Sequence, residues 1–188
     1  MVSSSVFITS VLAATTAALP HLPRDGPPTA TKTSTSTSST ASSTSTSGGG
    51  VQIVNNMDTT VYLWTTSSNS GDMQTLNSGG GTYSESWATN SDGGGISIKM
   101  STSTNEDSVL QFEYTEDGET LFWDLSCIDL DSDSEFISSG FSVTPEDSSC
   151  SSASCAAGDT DCADAYQESD DDDTNSCSSS VGYTLTLG

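Results

Sequence analysis

Within the stretch Leu110 to Asp129 three carboxyl side chains, Glu113, Asp124 and Asp129, recur at spacings that suit acid–base or hydrogen-bonding chemistry, and Lys99 is the nearest cation in sequence. A glycosidase needs one carboxyl held protonated and a second carboxylate on the other side of the scissile bond. Glu113 with Asp124 or Asp129 has the chemical types for that pair. The same groups suit a less demanding task, accepting hydrogen bonds from the hydroxyls of a bound sugar. They are also three acids among many, and exposed carboxylates commonly do no more than solvate a face.

The elements that must position them can be read from periodicity. In Leu110 to Thr115 the residues Leu110, Phe112 and Tyr114 share one parity and Gln111, Glu113 and Thr115 the other. Glu116-Asp117-Gly118 supplies a turn signal, and Leu121, Trp123, Leu125 and Cys127 then take the apolar parity opposite Phe122, Asp124 and Ser126. This predicts a β-hairpin with Glu113 and Asp124 leaving its non-core face. In Ile96 to Met100, Ile98 and Met100 share the core parity and Lys99 points away. A hairpin cannot bury an apolar face alone, so further strands must cover it.

Such strands are expected at Val51 to Val54 and Thr60 to Thr66, around a turn at Asn55-Asn56, and at Tyr83 to Trp87 and Gly182 to Leu187. Gly, Ser, Asn and Asp clusters separate them, and no amphipathic helix of useful length is evident. Many short strands with such turns predict an all-β fold, an antiparallel β-sandwich.

Composition sets the surroundings. An apolar run from Val6 to Leu12, followed by small residues, predicts a signal peptide over 1–18 and hence a secreted product. Residues 19–50, nearly all Ser and Thr from Thr29 to Ser47, predict a disordered, O-glycosylated stalk that ends in a flexible joint at Gly48 to Gly50. The folded domain is expected over 51–188. It keeps Lys99 as its one cation against 25 carboxylates, a formal charge of −24, which argues against nucleic acid and anionic lipid as partners. Nothing in it is apolar enough to insert in a membrane, and a monomer is expected. The domain has no histidine, which excludes His-based nucleophilic catalysis and His-ligated metals. No cofactor is expected. Four cysteines, Cys150, Cys155, Cys162 and Cys177, crowd the last forty residues of a secreted chain and predict two disulfides in any of three pairings. Cys127 has the apolar parity of its strand and is expected as a buried free thiol.

The order of several segments resembles the thaumatin-like family, in the compact fungal branch named after the Blastomyces yeast-phase-specific protein. The residues that carry the resemblance are Val51-Gln-Ile-Val-Asn-Asn, Thr75-Leu-Asn-Ser-Gly-Gly, Glu85-Ser-Trp87, Gly94-Gly-Ile-Ser-Ile-Lys99 and Phe112-Glu-Tyr-Thr. They continue with Trp123-Asp-Leu-Ser-Cys-Ile-Asp129, Cys150 with Cys155-Ala-Ala, Cys162-Ala-Asp-Ala-Tyr166 and Tyr183-Thr-Leu-Thr-Leu187. The resemblance implies a thaumatin-like β-sandwich lacking the family's large disulfide-rich insert between Cys155 and Cys162, and so lacking one wall of the usual cleft. It implies the disulfides Cys150–Cys177 and Cys155–Cys162. The family cysteines expected near Met57 and Gly188, which pair with each other, are both absent. It also implies an acidic glucan-binding cleft, with Lys99 in place of an Arg, Glu113 as the Glu, and Asp124, Asp129 and Asp164 as the Asp residues, Asp171 being the alternative to Asp164. Lys for Arg loses the planar bidentate fork.

These readings converge on a secreted, cell-wall-associated glycoprotein that binds wall polysaccharide, a β-glucan, without strong catalysis. Phe122, Trp64 and Trp87 are its candidate aromatic platforms. The alternatives are a structural or antigenic surface protein with no ligand, and a weak endo-β-1,3-glucanase using Glu113, Asp124 and Asp129. With one cleft wall missing, too little burial is expected to raise an acid's pKa. Asp129-Leu-Asp131-Ser-Asp133 begins like an EF-hand loop, but Ser134 stands for the required Gly and Gly140 for the closing Glu, so no metal site is expected.

Overall fold

The computed structural model describes residues 49–188. The expected leader and, apart from Gly49 and Gly50, the expected stalk lie outside the described residues. The strands are β1 (Gly50–Asn55), β2 (Val61–Thr66), β3 (Gln74–Leu76), β4 (Gly81–Ser86), β5 (Ile96–Ser101), β6 (Leu110–Asp117) and β7 (Thr120–Ser126). A single-turn helix, α1 (Glu135–Ser139), precedes β8 (Phe141–Pro145), β9 (Ala153–Cys155), β10 (Asn175–Ser178) and β11 (Gly182–Leu187). No helix among the described residues is long and apolar enough to cross a membrane.

Two sheets face each other, one ordered β4-β1-β11-β8-β9 and the other β10-β7-β6-β5-β2-β3. Pairing is antiparallel except between β1 and β11, which run parallel from Gly50↔Gly182 to Asn55↔Leu187. The core forms because alternate residues point inward from both sheets. Ile53, Val143 and Leu185 come from one, and Leu63, Ile98, Phe112, Trp123 and Leu125 from the other, all essentially inaccessible. Each such side chain contributes roughly 1.5–3 kcal/mol on burial. Aromatic rings line the middle, with Trp123 at 5.2 Å from Tyr183 and Trp87 at 4.9 Å from Tyr114. One carboxylate joins the sheets: Glu85 on β4 accepts from Tyr114 on β6 (2.9 Å), Thr65 on β2 (2.7 Å) and its neighbour Tyr83 (2.5 Å). Burial, reinforced by Glu85, pushes the Tyr83 hydroxyl up to about 12.

Several local readings change. β1 and β2, expected as two strands around a turn, belong to opposite sheets. Asn55 makes the crossing possible: it is fully buried, its Nδ2 donates to the carbonyls of Thr59, Leu76 and Asn77, and its Oδ1 accepts from the Met57 N–H. Of the glycines expected as a joint, Gly49 and Gly50 are packed. Gly50 opens β1, and a Cβ at Gly49 would lie 1.9 Å from the Ser179 carbonyl and 2.3 Å from Trp87 Nε1. The EF-hand-like stretch folds into a turn and helix, with Ser134 capping α1 by accepting from the Phe136 N–H.

The disulfides are Cys150–Cys177 and Cys155–Cys162, with Cα separations of 5.7 and 5.5 Å. Cys127 is a buried free thiol, and burial pushes it up to about 11. Met57 and Gly188 are neighbours: a Cβ placed on Gly188 would lie 3.0 Å from Met57 Cγ.

Candidate functional site

Strands β5, β6 and β7 turn their apolar parity to the core and therefore present the other parity on the outer face of the six-stranded sheet. Register fixes the rows on that face. Thr66, Ser97, Glu113 and Asp124 are successive cross-strand partners, and Trp64, Lys99, Gln111 and Ser126 form the next row. Glu113 and Asp124 are thus directly opposed on neighbouring strands, where Cβ atoms lie about 4.5–5.5 Å apart. They are the two carboxyls lining a groove of about 450 Å³ whose other lining residues include Thr66, Ser97, Thr115 and Phe122.

The electrostatics of this pair are one-sided. Asp124 is pushed up to about 7, chiefly because it is partly buried and secondly because the Glu113 charge stands opposite. Its Oδ1 is fully buried and has no hydrogen-bond partner on the protein. The burial expected to be lacking without the cleft wall is supplied instead by the sheet around Asp124. Lys99 does not offset the pair. Its Nζ lies 3.7 Å from Glu106, in the turn after β5, the one ion pair among the described residues.

The other candidates stand apart from the pair. Asp129 accepts from Gln111 Nε2 at 3.4 Å, and Gln111 in turn accepts from Ser97 at 3.1 Å, so Asp129 reaches the groove floor through a buried glutamine. Asp164 accepts from the Ser154 N–H at 2.9 Å and lines a separate hollow with Asp172 and Asp173. Asp171 accepts from the N–H groups of Gln167 and Glu168, which hold its carboxyl below the usual range. Among the aromatic candidates Trp64 is buried, and Trp87 packs on the core while donating to the Val181 carbonyl. Phe122 is 41% exposed. Among the described residues no cluster of three or more His, Cys, Asp or Glu side chains is arranged to hold a metal.

Sequence parity finds Glu113, Asp124, Lys99 and Phe122, but not the loop residues Ser67 and Gly95 that also line the groove. Next to Ser67, Ser68 hydrogen-bonds to Asn90 (3.0 Å) and Asp92 (2.6 Å), tying two loops together. Polar loop residues carry no periodic signal, and only a three-dimensional neighbour makes them a wall.

A family model described as Blastomyces yeast-phase-specific protein matches residues 38–188. The Secreted thaumatin-like protein calA of Emericella nidulans is 49% identical over 140 residues, covering 74% of this chain and 81% of that protein. The Antigenic thaumatin-like protein of Arthroderma benhamiae is 37% identical over 140 residues, covering 74% of this chain and 70% of that protein. In solved structures the fold is shared with the protein elicitor MoHrip2 from Magnaporthe oryzae, at TM-score 0.61 and 22% identity over 74% of this chain and 98% of that one. It is shared more distantly with the thaumatin-like xylanase inhibitor TLXI, at TM-score 0.50 and 11% identity over 73% and 97%.

Proposed function

Because the chain belongs to the thaumatin-like family, in the branch described as Blastomyces yeast-phase-specific protein, we propose that it is a secreted, cell-wall-associated protein that holds a wall β-glucan along the Glu113–Asp124 groove without strong catalysis. The observation that carries this reading is the opposed carboxyl pair on the groove floor. Sugar hydroxyls both donate and accept, so they match Glu113 as acceptor and Asp124 in either protonation state. A neutral glycan also escapes the repulsion that a chain of this charge exerts on anions. Secretion is supported by the leader-like sequence at 1–18 and by the relative named as secreted.

A glycosidase sets its two carboxyls on either side of the scissile bond, and the adjacency of Glu113 and Asp124 on one floor does not by itself meet that demand. The raised Asp124 is the feature that favours the weak glucanase instead, since it would supply a proton donor near neutral pH. The purified protein, incubated with insoluble β-1,3-glucan, chitin and mannan while reducing sugar is assayed, separates these readings. We expect retention on glucan with no sugar release, and loss of retention in Glu113→Gln and Asp124→Asn. Sugar release would make the protein an enzyme. Absence of retention on all three would leave a structural or antigenic surface protein.

A further inference from the structure

The acidic groove does not end at Phe122. A second hollow of about 270 Å³ lies on the other side of the same ring, lined by Ala88, Asn90, Gly93, Gly94 and Ile96 on the far side. Ile96, Tyr114, Thr115 and Phe122 line both hollows, so the two are one trough with the Phe122 ring between them. Each half carries two acids, Glu113 and Asp124 in the first and, in the second, Glu116 and Asp117 at the end of β6. Both ends of the 88–94 loop are restrained, by Ser68 against Asn90 and Asp92 and by the packed Trp87. The trough is therefore largely formed before anything binds, which lowers the ordering cost of binding.

Phe122 has no structural reason to be there. It lies on the solvent face of β7 between polar residues, with 41% of its surface accessible. An exposed ring flanked by two hollows is the arrangement that a flat apolar surface of a ligand would cover. Resting on the glucan-binding reading of the acidic groove, we propose that this second hollow is a further subsite for an uncharged sugar. In it one glucose residue of an unbranched β-linked chain stacks on Phe122 while its neighbours continue past Glu113 and Asp124. The occupant follows from chemistry on both sides of the ring. β-Glucose residues turn axial C–H bonds to both faces and hydroxyls to the rim, which fits an aromatic floor with acceptors beyond it. A polyanionic chain would meet carboxylates at both ends of the trough with Lys99 already held by Glu106. Phe122 is thus the residue that makes binding depend on chain length.

The test is calorimetric titration of the full-length protein with β-1,3-linked gluco-oligosaccharides from dimer to octamer, with oligogalacturonate as the charged control. In the parent, affinity should climb with length until both hollows are filled. Phe122→Leu should remove the gain from lengthening, weakening the longest oligosaccharides by about three- to tenfold, the range of one aromatic stacking contact, with little change for the dimer. Phe122→Tyr should restore it, and Glu113→Gln should weaken every length. If the parent binds with no dependence on length, or Phe122→Leu binds the octamer as the parent does, the second subsite is overturned while the Glu113–Asp124 groove stands. Oligogalacturonate binding as tightly as glucan would also overturn it. If the parent binds no oligosaccharide, the glucan reading of the acidic groove falls and takes this subsite with it.

Discussion

At Asp124 the folded chain keeps a proton that the unfolded chain gives up near the ordinary value of 3.8, because burial and the opposing Glu113 push the group up to about 7. The native state then binds more protons than the unfolded state between about pH 4 and 7. Stability from this group is whole below that window and is lost as pH rises through it. The loss is on the order of 2–4 kcal/mol at most, since groove water screens part of it. Asp124→Asn should consequently gain on the parent as pH rises, melting higher than the parent at pH 8 and close to it at pH 4. Thermal unfolding of both proteins across that range checks this, and parallel pH curves would show that Asp124 carries no such cost. Parity in the sequence suffices to put Glu113 and Asp124 on one face. It cannot reveal that the neighbouring strands of the sheet partly bury Asp124, nor that Glu106 holds the lysine, because both depend on how separate segments come together.

Strands with apolar alternation are the part of this fold that a reader of the sequence can find: β5, β6, β7 and β11 lie where Ile98, Phe112, Trp123 and Leu185 predict them. The unexpected strands divide by cause. Phe141-Ser-Val143 in β8 does alternate, and only its brevity hides it. β3, β9 and β10 read as loop because Gln, Ser, Asn and Thr dominate them, and they are edge strands whose pairing comes from a neighbour rather than from their own hydropathy. Two of these edges are pinned covalently. Cys155 holds β9, and Cys177 holds β10 to Cys150 across the two sheets. In the chain-entropy picture the Cys150–Cys177 loop contributes about 3–4 kcal/mol and the shorter Cys155–Cys162 loop about 2–3 kcal/mol. Urea denaturation of the paired Ser variants should show both losses, with the larger one for Cys150→Ser/Cys177→Ser. Because β10 borders β7, which carries Asp124 and Phe122, that variant should also weaken glucan retention, whereas Cys155→Ser/Cys162→Ser should not.

Across residues 51–188, 25 carboxylates against Lys99 make self-repulsion a standing cost of the compact state. Added sodium chloride should raise the melting temperature from low ionic strength up to roughly 0.15 M, where the screening length falls to about 8 Å. A melting temperature that falls with salt would mean that the exposed Lys99–Glu106 pair outweighs the repulsion, contrary to the small worth of such pairs. The sandwich itself was legible from turn spacing and residue order, but its closure was not. No local pattern announces that β1 and β11 lie side by side in parallel. That pairing has a consequence in time. The first strand of the domain can pair with β4 early but finds its other partner only when Gly182 to Leu187 are available, and contacts so distant along the chain make folding slow, on the order of milliseconds to seconds. Until β11 is in place the five-stranded sheet lacks the strand that joins β1 to β8, so this half of the sandwich closes in one late step rather than strand by strand.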